Sequence, residues 1–294
     1  MGDHHHHHSS TQNIRLAFFL NLGFTVIEFI GGLLTNSTAI LADAVHDLGD
    51  TFALGQAWYF EKLTERKENN RYTYGFKRFS LLGALISTLL LIISSFYILS
   101  EAVPRLFHPA TAHAEGMIVL AIFGVLVNGY AMFKLTREKG INARTVGLHL
   151  LEDVLGWVAI LVMAMILMFT ELYILDPILA ILITLLILSN VVKNVKAILP
   201  IFLQATPDQV NLDEIRKNIL RFDHVEAIHH MHVWSLDDQH MVFTVHLVAD
   251  KNLDPAEYAQ VKNAVRELMD THGFYHSTVE IELPEETCRM TDSQ

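Results

Sequence analysis

Cysteine is almost missing from this chain: there is one, Cys288, among 294 residues. That excludes an intramolecular disulfide and any Cys-rich zinc module, and Cys288 is assigned no role of its own. Charge is scarce too, at 18% of residues against 51% hydrophobic. The mean hydropathy of +0.32 is too apolar for an ordinary soluble domain and too polar for a chain that is membrane throughout. What charge there is runs short of the positive sign at one end. Residues 1–206 hold 14 Lys or Arg against 15 Asp or Glu, whereas residues 207–294 hold 7 against 17. So acidic a tail disfavours nucleic acid and anionic lipid as partners and suits a cation-rich environment. No HExxH stretch and no clustered histidine boxes occur. Their absence removes the metalloprotease and membrane di-iron oxygenase motifs and argues against an enzyme.

Long apolar runs, in contrast, are plentiful. Stretches of about 20 such residues fall near Ile14 to Leu34, Thr38 to Phe60, Phe79 to Val103, Gly116 to Leu135, Thr145 to Thr170 and Leu172 to Val192. Residues 14–200 therefore read as a six-helix transmembrane domain. The stretch before it, residues 1–13, carries a run of five histidines, either a purification tag or a native metal-gathering arm, and is set aside. No cleavable signal peptide is expected, because the first apolar run continues into a full span. Lys62, Arg66, Lys67, Arg71, Lys77 and Arg78 lie between the second and third spans, and Lys134, Arg137, Lys139 and Arg144 between the fourth and fifth. The first-to-second and fifth-to-sixth connections hold no Lys or Arg, so both termini are expected in the cytoplasm.

Four spans are nearly free of charge, but the second holds Asp43, His46, Asp47 and Asp50, and the fifth His149, Glu152 and Asp153. Ionisable groups at membrane depth are costly and mark an ion path or proton relay. His46 to Asp50 and His149 to Asp153 repeat one frame, i to i+4, which stacks each His over its Asp on one helical face. Two such helices facing each other offer two imidazole nitrogens and two carboxylate oxygens, a tetrahedral set for a borderline divalent cation such as Zn2+. Asp43 adjoins that face and is expected to support the ligands from behind, whereas Asp47 points roughly 100° away. Glu28 and Asn21 in the first span and Asn128 in the fourth are read as polar packing contacts, and Gly23, Gly31, Gly32, Gly124 and Gly129 as points of close helix approach.

Beyond Pro200 and the Ala205-Thr206-Pro207 break the pattern becomes that of a small α+β domain, residues 207–286, with a short tail at 287–294. Helical periodicity covers Asn211 to Phe222, and alternation marks strands at His224 to Ser235 and His240 to Ala249. Asp254 and Pro255 open a second helix to about His272, and Thr278 to Leu283 forms a last strand. This order implies a ferredoxin-like fold with both helices on one sheet face, the other face left for a partner copy. Eight histidines lie here. Strict alternation puts His230 and His232 on one face and His229 on the other, with His246 on the neighbouring strand and Glu280 and Glu282 on the third, a pattern able to chelate zinc.

The paired frames, the basic loop RYTYGFKRF and the tail segments HHMHVWSL, FTVHLVAD and HSTVEIELPEE together resemble the cation diffusion facilitator family, in particular its zinc-transporting branch. The resemblance runs from about Ile14 to Glu286. It implies a homodimer in the lipid bilayer, an antiporter that trades Zn2+ for protons and exports the metal from the cytoplasm. His46, Asp50, His149 and Asp153 would form the transport site, and His229, His232, His246, His276 and Glu282 are the matching cytoplasmic metal candidates. Glu61 to Arg71 lacks His and Asp, which removes the extra loop metal site of some members, and Glu138 to Arg144 lacks the His-rich loop of vertebrate relatives. A prokaryotic protein of the bacterial inner membrane is the expectation. Export of Mn2+, Fe2+, Co2+ or Cd2+ is the alternative, and a membrane metal sensor without transport a more distant one.

Overall fold

A computed structural model describes residues 7–64, 68–135, 141–250, 253–286 and 288. The first residues of the His run, Arg66, Lys67, Arg137, Lys139 and residues 289–294 lie outside it, as do the side chains of Lys62, Lys134, Arg144 and His149. Two compact units result, one of residues 1–67 and 82–195, the other of 68–81 and 196–294.

All six long runs are helices: α1 (His7–Thr35), α2 (Thr38–Thr64), α3 (Phe79–Phe107), α4 (Ala114–Leu135), α5 (Ile141–Phe169) and α6 (Leu175–Phe202). Among the described residues, five helices are long and apolar enough to cross a membrane: all but α2, whose acids lower its hydropathy. Proline explains one boundary. Pro177 is tolerated in the first turn of α6 because the amide it lacks has no helical partner there. Pro200, expected to break the chain, instead sits inside the last turns of α6, which ends at Phe202 before Gln204 at φ +59°.

In the first unit α1 packs on α2, α4 on α5, and the two pairs meet through α1 with α4 and α2 with α5. Close approach at glycine makes this possible. A Cβ on Gly124 of α4 would collide with the Trp157 indole of α5, and one on Gly31 of α1 with Leu120 of α4. Gly23 and Gly129, expected to do the same, face open space. Trp157 is 1% exposed and anchors a core with Phe24, Ile40, Ile98, Met117 and Ile160. The start of α2 is held by a buried carboxylate from α6: Asp176 accepts from the Ser37 and Thr38 hydroxyls and from the Thr38 and Ala39 amides at 2.7 and 3.2 Å. This satisfies donors that a helix N-terminus otherwise leaves unpaired.

The second unit has the element order expected of it: α7 (Leu212–Ile219), β1 (Val225–Ser235), β2 (Met241–Ala249), α8 (Pro255–Thr271) and β3 (Phe274–Glu282). β3 starts earlier than alternation suggests, because Gly273 at φ +75° ends the α8 turn and leads straight into it. Asp254 caps α8 in a reciprocal box with Glu257. The sheet runs β1-β2-β3, antiparallel then parallel. Ile215 and Ile219 of α7 and Val261, Val265 and Met269 of α8 bury against Phe243, Val245, Leu247 and Ala249 of the central β2. With those residues turned to the helices, period 2 sends His246 to the opposite face. In the same unit the loop before α3 meets the domain: Lys77 Nζ donates to His240 Nε2 at 2.8 Å and lies 4.4 Å from the Tyr275 ring centre.

Candidate functional site

In the first unit the i to i+4 frame on α2 does what helical geometry requires. His46 Nε2 lies 3.8 Å from Asp50 Oδ2 on its own helix and 3.7 Å from Asp153 Oδ1 on α5. Three of the four residues proposed from the paired frames therefore converge. His149 is on α5 one turn before Asp153, but its side chain lies outside the described residues. Asp43, buried, points at α5 where Gly156 leaves room for it; a Cβ there would lie 3.5 Å from Asp43 Oδ1.

Behind this group stands α1. Asn21 Nδ2 donates to the Asp47 carbonyl at 3.1 Å and to the Thr51 hydroxyl at 2.9 Å, an interhelical packing contact as expected. Asn128 differs: its amide bonds the Gly124 carbonyl of its own helix, at 3.2 Å. Glu28 differs more. It is 1% exposed, neither carboxyl oxygen makes a well-directed hydrogen bond, and it interacts electrostatically with Asp47, Asp43 and Asp153. Glu28 faces Asp47 on α2, the neighbouring helix, and adds a further carboxyl to the acidic side of the site. Its lone position in an apolar run was the available signal.

The cytoplasmic cluster depends on a bulge. His229 pairs with His246 and His232 with Thr244, so three steps along β1 match two along β2. The extra residue, with His230 at φ +46°, breaks the alternation and turns both His229 and His232 to the His246 face. The expectation that His229 points away is corrected by that one inserted residue. His246 Nδ1 is 2.7 Å from Glu282 Oε1, and His229 Nε2 is 2.9 Å from Glu282 Oε2 but off the line of a hydrogen bond, which leaves this buried nitrogen unsatisfied. Burial raises the Glu282 carboxyl, yet the His246 hydrogen bond and the charges of His229 and His246 outweigh it and hold the group below the usual carboxylate range. His246, Glu282, His229 and Cys288 have ligand atoms all within 4.8 Å of one another. Cys288 was not anticipated. A turn in which Glu286 bonds back to Leu283 follows β3, and Cys288 lies beyond it with Sγ 3.8 Å from His246 Nδ1.

The other two cytoplasmic candidates lie elsewhere. His232 lines an open groove with Gln204, Thr206, Trp234 and Thr244. His276 pairs with Val242, four residues or about 13 Å along β2 from His246, and its ring stands edge-on to Tyr74.

The sequence profile of the cation efflux transmembrane domain matches residues 14–203, and that of the cation efflux protein cytoplasmic domain residues 207–284. The chain belongs to the cation efflux family, that of the cation diffusion facilitators. It is an integral membrane protein of a family of transporters, not enzymes. Its relatives include the zinc transporter ZitB of Pectobacterium atrosepticum, 33% identical over 278 residues that cover 93% of this chain and 86% of the relative. The metal cation efflux system protein CzcD of Cupriavidus metallidurans is 32% identical over 99% of this chain and 92% of its own. The cadmium, cobalt and zinc/H(+)-K(+) antiporter of Bacillus subtilis is 30% identical over 96% and 92%. Within a cation efflux protein, the His and Asp side chains of α2 and α5 are candidates for the path of the metal, and those of the sheet for a site outside it.

Proposed function

We propose that this cation efflux protein is a homodimeric antiporter that exports Zn2+ from the cytoplasm in exchange for protons. The observation that carries the reading is the seat of His46 between two carboxylates, Asp50 one turn on and Asp153 across on α5. With His149, one turn before Asp153, these residues make an N2O2 set that suits Zn2+ and cancels its charge at membrane depth. Emptied of metal, the two carboxylates repel, and protons taken up by the set relieve that repulsion. Metal and protons thus compete for the same atoms, and a site that opens alternately to the two sides converts this competition into exchange. Asp43 supports the set from behind.

All six helices cross the bilayer in this reading, since the 27 residues of α2 exceed the roughly 20 needed. Both termini are cytoplasmic, and the membrane is the bacterial inner membrane. The tail is a ferredoxin-like domain that pairs two copies and binds Zn2+ through His229, His246 and Glu282; the donor types and the unsatisfied His229 nitrogen fit such an ion. His232 and His276 fall outside that set.

Zn2+ flux into proteoliposomes under an imposed pH gradient tests the proposal: flux should require the gradient and fall to background in Asp50→Ala. Normal flux in Asp50→Ala would sink the four-ligand site. The Bacillus subtilis relative, named for cadmium and cobalt as well as zinc, favours a second reading in which those ions share the path. Competition by Cd2+ and Co2+ in the same assay decides it. Replacing His46 by Asp should broaden selectivity towards a harder ion such as Mn2+.

A further inference from the structure

We propose that Cys288 is the fourth ligand of the cytoplasmic centre, making it a site of two imidazoles, one carboxylate and one thiolate that selects Zn2+ and Cd2+ over harder divalent ions. The inference rests on the reading of His229, His246 and Glu282 as metal ligands. Three observations bring the sulfur into the set. Its distance of 3.8 Å from His246 Nδ1 is close to the edge of roughly 3.5 Å that a tetrahedron with Zn–S near 2.3 Å and Zn–N near 2.0 Å requires. All four ligand atoms fall within 4.8 Å of one another, so one ion reaches them all with small adjustments. The buried His229 Nε2 has no hydrogen bond, although the polar groups around it are those of this cluster.

The surroundings support a tetrahedral ion in other ways. Glu280 Oε2 lies 3.3 Å from His246 Nε2, the ring nitrogen turned away from Cys288 and Glu282, where it fixes the ring and sharpens the basicity of Nδ1. β1, β2 and β3 each contribute one ligand, and the turn after β3 the fourth. When the ion enters, the Cys288 S–H bond breaks, an Sγ–metal bond forms and the proton leaves to water. Glu282 and Cys288 then carry two negative charges against the two positive charges of the ion. Thiolate sulfur is a soft donor and adds much for Zn2+ or Cd2+, little for Mn2+ or Mg2+. A cytoplasmic domain so equipped reports the ions that are worth exporting and ignores the abundant hard ones.

Because Cys288 is the chain's one cysteine, any sulfur-to-metal charge-transfer absorption reports on it alone, and the histidines near the N-terminus add nothing to that signal. Full-length protein in detergent is titrated with Co2+ and, separately, with Cd2+. One thiolate band per protomer is expected in the wild type and in Asp50→Ala, and none in Cys288→Ser. His246→Ala should lose the band too. Removing an outer partner of a metal ligand weakens binding about 10- to 100-fold, so Cys288→Ser should weaken Cd2+ at this centre by at least about tenfold, with Mn2+ binding unchanged. Bound Cd2+ should also slow alkylation of Cys288, a readout that needs no substitution. Metal that binds with dependence on His246 yet gives no sulfur band and no protection overturns the assignment of Cys288 while the His and Glu centre stands. Metal binding unmoved by His229→Ala and His246→Ala removes the centre itself.

Discussion

The two clusters of this cation efflux protein use the same side chains on different scaffolds. In the membrane unit His46 stands 3.7 and 3.8 Å from its carboxylates, one on its own helix and one on another. In the cytoplasmic unit the imidazole-to-Glu282 distances are 2.7 and 2.9 Å, and His229, His246 and Glu282 each stand on one of three paired strands. A site shared between two helices changes its geometry when one helix shifts, which a site that must take up and release its ion requires. A site across three paired strands keeps its geometry, which suits an ion that stays.

The sharpest way to break this contrast is to delete candidate ligands from each. Asp153→Ala should bring Zn2+ flux to background, because it removes the α5 carboxylate that lies 3.7 Å from His46. His229→Ala together with His246→Ala should leave flux measurable and remove Zn2+ binding by the sheet. Equal losses in the two variants would show that the clusters are not separate in function.

Less drastic is Asp176→Ala, aimed at the scaffold of the membrane site. Its carboxylate accepts four hydrogen bonds from the first turn of α2, where Ser37 and Thr38 are fully buried. Unpairing these donors costs roughly 3 kcal/mol, about 6–12 °C in the unfolding midpoint for a domain of this size. Thermal unfolding in detergent measures it. If the membrane site depends on the seating of α2, flux should fall as well; an unchanged midpoint would show that the cap is dispensable.

The difference in scaffold also decides what could be read from the residues. Four residues per helical step is close to one turn, so His46 and Asp50 on α2 declare a shared face without any knowledge of the fold, and the same arithmetic marks Asp153. Glu28 escapes that logic because a single acid in an apolar run has no second residue to give it a direction. On the sheet, alternation carries the pattern only as long as no residue is inserted. The bulge at His230 reverses the face of His229, and nothing in HHMHVW distinguishes it from a regular strand. Cys288 is harder still. Its approach to His246 depends on a turn after the last strand, and no periodicity runs through a turn.

Metal should stabilise one unit more than the other. Zn2+ at a hundred times its dissociation constant adds about 2.7 kcal/mol to a fold that binds it only when folded. Hydrogen exchange of β1, β2 and β3 in full-length protein should slow accordingly, and His229→Ala should cancel the effect while α1 and α2 exchange as before. Protection spread evenly over both units would count against a rigid resident site on the sheet.

The smallest effect separates the histidines proposed to hold metal from one that merely holds a proton. His224 Nδ1 lies 2.9 Å from Asp250 Oδ2, far along β1 and β2 from His246, and this hydrogen bond, against the opposing effect of desolvation and with help from nearby Glu257, raises the imidazole above its usual value. A raised value in the fold means that protonation favours the folded state. The contribution is complete below the unfolded imidazole value of about 6.5 and disappears as pH rises through the folded one. His224→Ala should therefore lower the unfolding midpoint slightly at about pH 5.5 and leave it unchanged at about pH 8.5, with no response to Zn2+ at either pH. His246→Ala should show the reverse dependence on metal, since Zn2+ binds the neutral ring and is displaced by protons. A Zn2+-dependent shift at His224 would mean that the acidic domain gathers metal over its whole surface, and the bulge on β1 would lose its claim to have built the one centre.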